Sequence, residues 1–470
     1  MNNWEKYDTY LFREEQMKAN YWNQAFKAYM FPQGDGTMQF GMGVNELYCL
    51  GAFSGNADIF NKLMTVDLQI VLRPSLTWIL RAKMQSGLGK GNPCYAVLFN
   101  DAGDKMTLDF VKFNNDGAVS ACFLKGQVLD DIIDVFDYNR YEVGLINEDG
   151  GVRLLLRVNG KTLLDTVDDQ AEGSYLEQGY MLFQGAYSTV QLRGTDSAAV
   201  STAEKPVKAG EYEGIALYDI SSVTEMSTRL MSTITTPLEF TADNGMTVKY
   251  RLYLPTHYDP DKQYPLYLHL HGGGARGSNN VTQIMYDFNQ LSAILQQQSR
   301  EEFIFLIPEC PDDRFWCDSM TYSNGAYHLD ITDTNESRLT KALMQLLTSI
   351  GERFSVDGKR LYLGGASMGG MGTYDILARY TDRFAAAWLG CGANDLSCVE
   401  QQAKTPLYIL HGEQDVTIPV QWSRDTAAAL EALHADFVYE EVKGRGHDFT
   451  AGGNESLERA FTWVFSHVRE

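Results

Sequence analysis

A five-residue motif in the second half of the chain constrains the fold most strongly. Residues 365–369 read Gly-Ala-Ser-Met-Gly, a G-x-S-x-G pattern. The apolar run 360–363 before it predicts a buried strand, and residues 371–379 after it predict a helix. A serine at such a turn is held clear of the backbone, and glycines are needed where the strand and helix crowd each other. The pattern predicts a nucleophile elbow centred on Ser367.

Two further polar residues follow predicted strands. Asp415 comes after the strand 407–410, and His447 comes after the strand that ends at 442. A serine hydroxyl is a weak nucleophile at neutral pH, so it needs a base and an oriented partner for that base. Open α/β sheets build their sites at the carboxyl ends of the strands. We therefore expect a catalytic triad in the chain order Ser367, Asp415, His447, which is the order of the α/β-hydrolases.

Each of these residues also has an ordinary structural interpretation. A single histidine after a strand is often structural, and Asp415 alone is compatible with a cap on the helix that follows. Glu413 is a rival for the acid position, and Asp448 is a weaker one. The agreement of three loops in one order favours the triad. The choice between Asp415 and Glu413 stays open at this point.

A glycine-rich stretch at residues 271–277 follows an earlier predicted strand and reads His-Gly-Gly-Gly-Ala-Arg-Gly. Glycines there let backbone N–H groups face a bound carbonyl and stabilise the negative oxygen that forms during attack. We assign this oxyanion hole to the N–H of Gly273 or Gly274 together with the N–H of Met368. The alternatives are a simple turn or a phosphate loop, but the G-x-x-x-x-G-K-[ST] pattern of phosphate loops is absent.

With these motifs in place, residues from about 235 to 470 resemble the α/β-hydrolase superfamily. More narrowly they resemble the esterases that include feruloyl and acetyl-xylan esterases of carbohydrate esterase family 1, polyhydroxybutyrate-depolymerase-like esterases and relatives of dienelactone hydrolase. Besides the elbow and the acid and histidine loops, the segments that carry the resemblance are 250–255, 264–272, 308–311 with Trp316, and 354–360.

The resemblance implies a serine esterase that works through an acyl-enzyme and needs no metal or organic cofactor. Trp316 matches the family's tryptophan after the Pro-x-Cys-Pro run and is a candidate substrate contact, with Trp422 as a weaker one. The segment 311–328 is predicted as a long loop at the site. Its aromatic residues either stack on an aromatic acyl group or a sugar, or pack the loop onto the domain: Phe315, Trp316, Tyr322 and Tyr327.

The fold class predicted for the whole chain is a C-terminal α/β-hydrolase domain preceded by an all-β domain. Residues 1–193 are assigned to a jelly-roll or sandwich domain, because short alternating runs are separated by Asp-Gly and Asn-Gly turns. Residues 194–210 are small and polar and are assigned to a linker. Residues 211–470, where strands and helices alternate in the manner of a sheet covered on both faces, form the catalytic domain.

The N-terminal domain resembles concanavalin-like jelly rolls through residues 154–161. Many such modules bind glycans and others act only as scaffolds or dimerise, and both possibilities stay open. A glycan-binding module would suggest that the ester substrate is carried on plant polysaccharide fragments.

Charge and cysteine content limit the partners. The formal net charge of −22, from 39 basic and 61 acidic residues, argues against nucleic acid or an anionic membrane as a partner. The seven cysteines suggest no disulfide framework and lack the C-x-x-C spacing of a zinc site. The first ten residues do not resemble a signal peptide, so a cytoplasmic location is expected.

The leading functional hypothesis is therefore an esterase acting on feruloyl or acetyl esters of carbohydrates. Two alternatives are kept. One is a serine peptidase of the prolyl-oligopeptidase type, although no propeller repeat is visible. The other is a glycan-binding protein whose hydrolase domain is inactive.

Overall fold

The computed structural model divides into two compact units, Met1–Ser201 and Thr202–Glu470. It describes residues 9–11, 29–32, 37–41, 51–53, 62–70, 75–83, 88–101, 105–176, 179–184, 189–193, 206–221, 223, 226–323, 326–449 and 455–470. No helix within these ranges combines the length and the apolar character that crossing a membrane requires.

In the described part of the first unit, the regular elements are strands and one short 3-10 turn, Gly173–Tyr175. The strands are β1 (Thr9–Leu11), β2 (Tyr29–Pro32), β3 (Thr37–Gly41), β4 (Gly51–Phe53), β5 (Leu63–Ile70), β6 (Ser75–Ala82), β7 (Cys94–Asp101), β8 (Met106–Phe113), β9 (Val119–Val128), β10 (Asn139–Glu148), β11 (Gly151–Val158), β12 (Lys161–Asp168), β13 (Tyr180–Gln184) and β14 (Thr189–Arg193).

These strands form two sheets that share one core. One sheet has the order β12-β11-β10-β5-β14-β3-β2, with β1 paired to β5, and the other has the order β4-β13-β6-β7-β8-β9. Trp78 from β6 meets Tyr141 from β10 edge-on, with ring centroids 6.4 Å apart, so the sheets pack face to face. The first unit is β-rich, as the sequence predicts.

The predicted hairpin turns explain why neighbouring strands pair in this part of the chain. The turn between β11 and β12 places Asn159 at φ 47° and Gly160 at φ 80°, the positive values that a type I′ turn requires at both positions. Gly117 and Gly150, in the turns before β9 and β11, also have positive φ. The Asn-Gly and Asp-Gly pairs thus set the register of three antiparallel hairpins.

In the second unit, strands and helices alternate. The strands are β15 (Val207–Tyr212), β16 (Ile215–Asp219), β17 (Thr236–Thr241), β18 (Thr247–Tyr253), β19 (Tyr264–Leu270), β20 (Ile304–Pro308), β21 (Met320–Ser323), β22 (Ala326–Leu329), β23 (Val356–Ala366), β24 (Ala386–Gly390), β25 (Leu407–Gly412) and β26 (Phe437–Val442). The helices are α1 (Thr228–Ile234), α2 (Thr282–Tyr286), α3 (Phe288–Leu295), α4 (Arg338–Arg353), α5 (Met368–Arg379), α6 (Val399–Gln402), α7 (Gln421–Ala432) and α8 (Glu455–Phe465).

The main sheet of this unit has the order β17-β18-β20-β19-β23-β24-β25-β26. The first two strands are antiparallel to their neighbours, and every pair from β20 onward is parallel. Its central strands are fully buried, because helices cover both faces. This is the α/β arrangement that the sequence predicts, and it aligns the carboxyl ends of β19, β23, β24 and β25 along one edge.

Two sequence expectations need adjustment. Residues 207–210, expected at the end of a linker, begin strand β15, which pairs with β16. The predicted long loop 311–328 contains a hairpin made of β21 and β22. The short strands escaped prediction because their residues show no apolar alternation.

Candidate active site

Ser367 occupies a sharp turn between β23 and α5. Its backbone has φ 56° and ψ −119°, a conformation that is unfavourable for a residue with a side chain. A Cβ on Gly365 or Gly369 would overlap the carbonyl oxygen of Leu270, because the end of β19 passes directly beneath the turn. The Ser367 N–H donates to the Gly390 carbonyl over 2.8 Å, which fixes the turn to the next strand. The geometry is that of the predicted nucleophile elbow.

Replacing Gly365 by alanine tests this close approach. The added methyl group meets a backbone carbonyl that cannot rotate away, so we expect the free energy of unfolding to fall by about 3 kcal/mol or more. Gly351→Ala is the matched control, since a Cβ there meets nothing within 4 Å on helix α4. The control should leave stability unchanged or raise it by about 0.5–1 kcal/mol. Urea unfolding of both variants gives the comparison, and equal midpoints would contradict the crowded turn.

The structure brings together the three residues that the sequence predicts as a triad. The His447 Nε2 lies 2.9 Å from the Ser367 Oγ, and its Nδ1 lies 2.7 Å from the Asp415 Oδ2. The Asp415 side chain is fully buried, whereas the His447 side chain keeps 23% of its surface exposed. The Nε2 of the imidazole can therefore exchange a proton with the hydroxyl, while the buried carboxylate bonds the other ring nitrogen, Nδ1.

The Asp415 carboxylate is held by two backbone donors and two histidines. Its Oδ1 accepts the N–H groups of Thr417 and Ile418 over 2.8 and 2.9 Å. Its Oδ2 faces both the His447 Nδ1 and the His411 Nε2, which is 3.2 Å away. Burial of the carboxylate acts to raise its pKa, but the bonds from His411 and His447 outweigh this and hold the pKa well below its usual range. The group is an anion at neutral pH.

This anion changes the basicity of His447. Burial of the imidazole acts to lower its pKa, yet the bond to the Asp415 carboxylate holds the pKa well above its usual value. Burial also raises the pKa of the Cys391 thiol, so the sulfur is neutral at pH 7 and the carboxylate is the charge that favours a protonated imidazole.

Glu413, the rival acid, is placed elsewhere. Its Oε2 accepts the N–H of Gly444 over 2.9 Å, which ties together the loops after β25 and β26. The carboxylate in contact with the histidine is that of Asp415. The other rival, Asp448, is exposed and follows His447 directly.

The glycine-rich loop lies beside the elbow. A Cβ built on Gly273 would come within 3.9 Å of the Met368 Cβ, whereas one on Gly274 would meet the ring of Tyr286. Within the described residues, the N–H groups of Gly273, Gly274 and Met368 bond no backbone carbonyl of the surrounding turns and loops. The choice between Gly273 and Gly274 as the partner of Met368 in an oxyanion hole stays a prediction.

A buried histidine orients this loop. The His271 Nε2 accepts the N–H of Cys310 over 2.9 Å, so the proton sits on Nδ1, which donates to the Gly272 carbonyl over 2.8 Å. Since a trans peptide points its N–H opposite to its C=O, the bond on Gly272 directs the N–H of Gly273 away from His271. Asp287 completes the support, because its Oδ2 accepts the N–H of Gly272 over 3.1 Å.

The structure corrects the role predicted for Trp316. Its side chain is only 1% exposed and its Nε1 donates to the His271 carbonyl over 2.8 Å, so it supports the glycine-rich loop from below and has no face open to a substrate. Trp422 is half-buried, and its ring meets His328 of β22 edge-on at 6.3 Å. A contact between Trp422 and substrate stays a prediction.

The other aromatic residues of the segment 311–328 differ in how far they are buried. Tyr327 is buried, and the half-buried ring of Phe315 lies 5.1 Å from the guanidinium of Arg276. The side chain of Tyr322 lies outside the described residues. Sequence reasoning missed Tyr286, whose ring lies against the glycine-rich loop and is 42% exposed.

One set of side chains at this site has metal-ligating chemistry. In the described ranges, Cys391, Asp415 and His447 offer ligand atoms that lie within 4.8 Å of one another. Because the carboxylate and the imidazole are already bonded to each other, a metal ion would have to break that pairing. The arrangement matches a proton relay better than a metal centre.

One family model matches part of the second unit. Residues 287–464 match the Dienelactone hydrolase family. The matched segment covers less than half of the 470-residue chain. It contains Ser367, Asp415 and His447 and ends within α8.

Among curated proteins, a bifunctional acetylxylan esterase/xylanase from Neocallimastix patriciarum is 28% identical over 102 residues. The match covers 22% of this chain and spans only 15% of the length of that relative. Among solved structures, a thermostable esterase is similar over 94% of this chain and 98% of its own, with 18% identity and a TM-score of 0.46. A ferulic acid esterase from Anaeromyces mucronatus is similar over 49% of this chain and 89% of its own, with 15% identity and a TM-score of 0.35.

Proposed function

We propose that the second unit is a serine carboxylesterase that hydrolyses feruloyl or acetyl esters carried on plant carbohydrate fragments. The observation that carries the proposal is the continuous relay in which His447 contacts both the Ser367 Oγ, at 2.9 Å, and the Asp415 carboxylate, at 2.7 Å. The dienelactone hydrolase family match and the similarity to an acetylxylan esterase support ester chemistry.

In the first half of the proposed reaction, the His447 Nε2 takes the proton of Ser367 while the Ser367 Oγ attacks the ester carbonyl. The N–H groups of Met368 and Gly273, or in the alternative Gly274, stabilise the negative oxygen of the tetrahedral intermediate. When the intermediate collapses, His447 returns the proton to the departing alcohol oxygen, and the acyl group stays on the serine as an ester.

In the second half, a water molecule attacks the acyl-enzyme. His447 takes a proton from this water and then gives it to the Ser367 oxygen as the acid leaves. Asp415 keeps the imidazole in the tautomer whose Nε2 faces the serine and stabilises the charged form that appears twice per cycle. These steps use only side chains and backbone groups of the chain, together with water.

For the first unit we propose a jelly-roll module that binds glycan, with a scaffold or dimerisation role as the alternative. The resemblance of residues 154–161 to concanavalin-like modules supports it. Retardation of residues 1–201 in a xylan affinity gel is the expected result, and unretarded migration would leave the scaffold role.

A panel of substrates tests the ester proposal. We expect the full chain to turn over p-nitrophenyl acetate and methyl ferulate and to leave a proline-containing anilide intact, because an ester carbonyl is the more reactive acceptor for a serine. Release of acetate from acetylated xylan and of ferulate from feruloylated oligosaccharides then ranks the natural acyl groups. Cleavage of the anilide alone would favour the peptidase alternative, and inertness toward the whole panel would favour the inactive glycan-binding protein.

A further inference from the structure

A second histidine contacts the carboxylate of Asp415. His411 lies at the end of β25 with no exposed surface. Its Nε2 is 2.9 Å from the Ile418 carbonyl oxygen and 3.2 Å from the Asp415 Oδ2, and its Nδ1 is 2.7 Å from the Ser423 Oγ. The reaction proposed above makes no use of this imidazole.

The contacts place a proton on the Nε2 of His411. The Ile418 carbonyl can only accept a hydrogen bond, so the His411 Nε2 carries a proton. That N–H bonds the Ile418 oxygen and also lies 3.2 Å from the Asp415 Oδ2, while the Nδ1 lies 2.7 Å from the Ser423 Oγ. The Asp415 Oδ2 therefore has an imidazole nitrogen of each histidine nearby, His447 at 2.7 Å and His411 at 3.2 Å.

Asp415 has an anchor besides His411. Its other oxygen is held by the backbone N–H groups of Thr417 and Ile418, which orient the carboxylate by themselves. Loss of the His411 donor leaves that anchor in place and leaves the Oδ2 with His447 as its histidine partner. The effect of His411 is electrostatic: its N–H lies near the Asp415 Oδ2 and weakens the attraction between this oxygen and His447.

We propose that His411 is a positioning residue that shares the negative charge of Asp415 with His447 and so limits how strongly the carboxylate holds the imidazole in its charged form. The inference rests on the proposed esterase mechanism. A general base is effective only while it is unprotonated, and a carboxylate bonded to His447 alone would keep it protonated at higher pH. His411 thus lets Asp415 orient the His447 imidazole without keeping that imidazole protonated.

Other titratable groups lie near His411, Asp415 and His447, and the substitutions at His411 leave these groups in place. The buried Cys391 thiol is neutral, and Ser367 bonds the opposite side of His447. Glu441 on β26 is close enough to His411 for the two to interact, but it is paired with Arg424 over 2.6 Å. Glu413 is bonded to the loop of Gly444.

The experiment is a direct titration of His447 by NMR of histidine-labelled full chain, together with the pH profile of ester hydrolysis. The chain has eight histidines, so a His447→Gln spectrum suffices to assign the signal. In His411→Leu we expect the pKa of His447 to rise by about 0.5 to 1, which is the size of one hydrogen bond expressed as a pKa difference. The acid limb of kcat/KM should move to higher pH by the same amount, with little change in KM.

Two further variants distinguish the effect of the His411 N–H donor from an effect of changed packing around Asp415. His411→Gln keeps an N–H donor and is expected to bring the pKa of His447 back toward the wild-type value. Ser423→Ala removes only the partner of the Nδ1 and is expected to shift the pKa less than His411→Leu does. A His447 pKa in His411→Leu that is unchanged or lower would overturn the inference, since loosening of the site alone weakens the bond to Asp415.

The titration also works without turnover. If His411→Leu does not fold, the nitrogen chemical shifts of wild-type His411 provide the test. A ring that carries a proton on Nε2 is expected, and a ring protonated on Nδ1 alone would contradict the proposal. An inactive wild-type chain in which the NMR shift is nevertheless seen would sink the esterase proposal while leaving the role of His411 intact.

Discussion

Ser367→Ala is expected to lower kcat for p-nitrophenyl acetate by about 10⁵- to 10⁶-fold, the loss that removal of a serine nucleophile causes in a triad hydrolase. The side chain loses only the Oγ, which bonds His447 at 2.9 Å. Without the oxygen no acyl-enzyme can form, so the burst of product that accompanies acylation should vanish as well.

The fold should tolerate this substitution. Alanine keeps the Cβ, so the unusual backbone at φ 56° is neither relieved nor worsened. We expect the midpoint of thermal unfolding to stay within about 3 °C of wild type. Ser299→Ala is a control at a remote serine whose hydroxyl bonds only a local carbonyl, and it should retain full activity. Equal rates for Ser367→Ala and wild type would remove Ser367 from the mechanism.

The parts of the site that could be predicted from sequence are those with a local signal. The elbow combines a motif with a strand before it and a helix after it, so Ser367 could be identified without knowledge of its neighbours in space. Asp415 and His447 follow strands, and the parallel sheet brings the ends of such strands to one edge. Chain order and strand ends were therefore sufficient to place three distant residues near one another.

The supporting contacts could not be predicted in this way, because one partner in each is a backbone group or a buried ring. His271 is oriented by the N–H of Cys310, a contact that depends on how the segment after β20 runs past the glycine-rich loop. Trp316 shows the same limitation. Its place in the sequence suggested a substrate contact, but the indole N–H finds a buried carbonyl on His271 and the ring is enclosed.

The choice between Asp415 and Glu413 also required the structure. Both carboxylates follow β25 closely, and no pattern in the sequence says which one turns inward. The answer depends on the two N–H groups of Thr417 and Ile418, which receive one oxygen of Asp415 and aim the other at the histidine. Glu413 instead binds the N–H of Gly444.

Asp415→Asn is expected to lower kcat by about 10⁴-fold, as the equivalent change does in other serine hydrolase triads. An asparagine NH₂ facing the His447 Nδ1 acts as a donor, so the imidazole proton moves to Nε2 and the nitrogen that faces Ser367 has no lone pair to accept the hydroxyl proton. Loss of the negative charge also lowers the pKa of His447. Because the neutral imidazole is the active form, the acid limb of the residual activity should move to lower pH.

The matched control is Glu413→Gln, which changes a neighbouring carboxylate in the same way. Its oxygen bonds a backbone N–H on an exposed loop and does not contact His447, so activity should stay within about twofold of wild type, with the same acid limb. Pre-steady-state rates of both variants between pH 5 and 9 give the comparison. If Glu413→Gln caused the large loss and Asp415→Asn the small one, the buried aspartate would be structural and the relay through Asp415 would be wrong. The His447 pKa is expected to fall in Asp415→Asn and to rise in His411→Leu, and both shifts have one cause. The first substitution removes the negative charge that holds the proton on His447, and the second leaves that charge to interact with His447 alone.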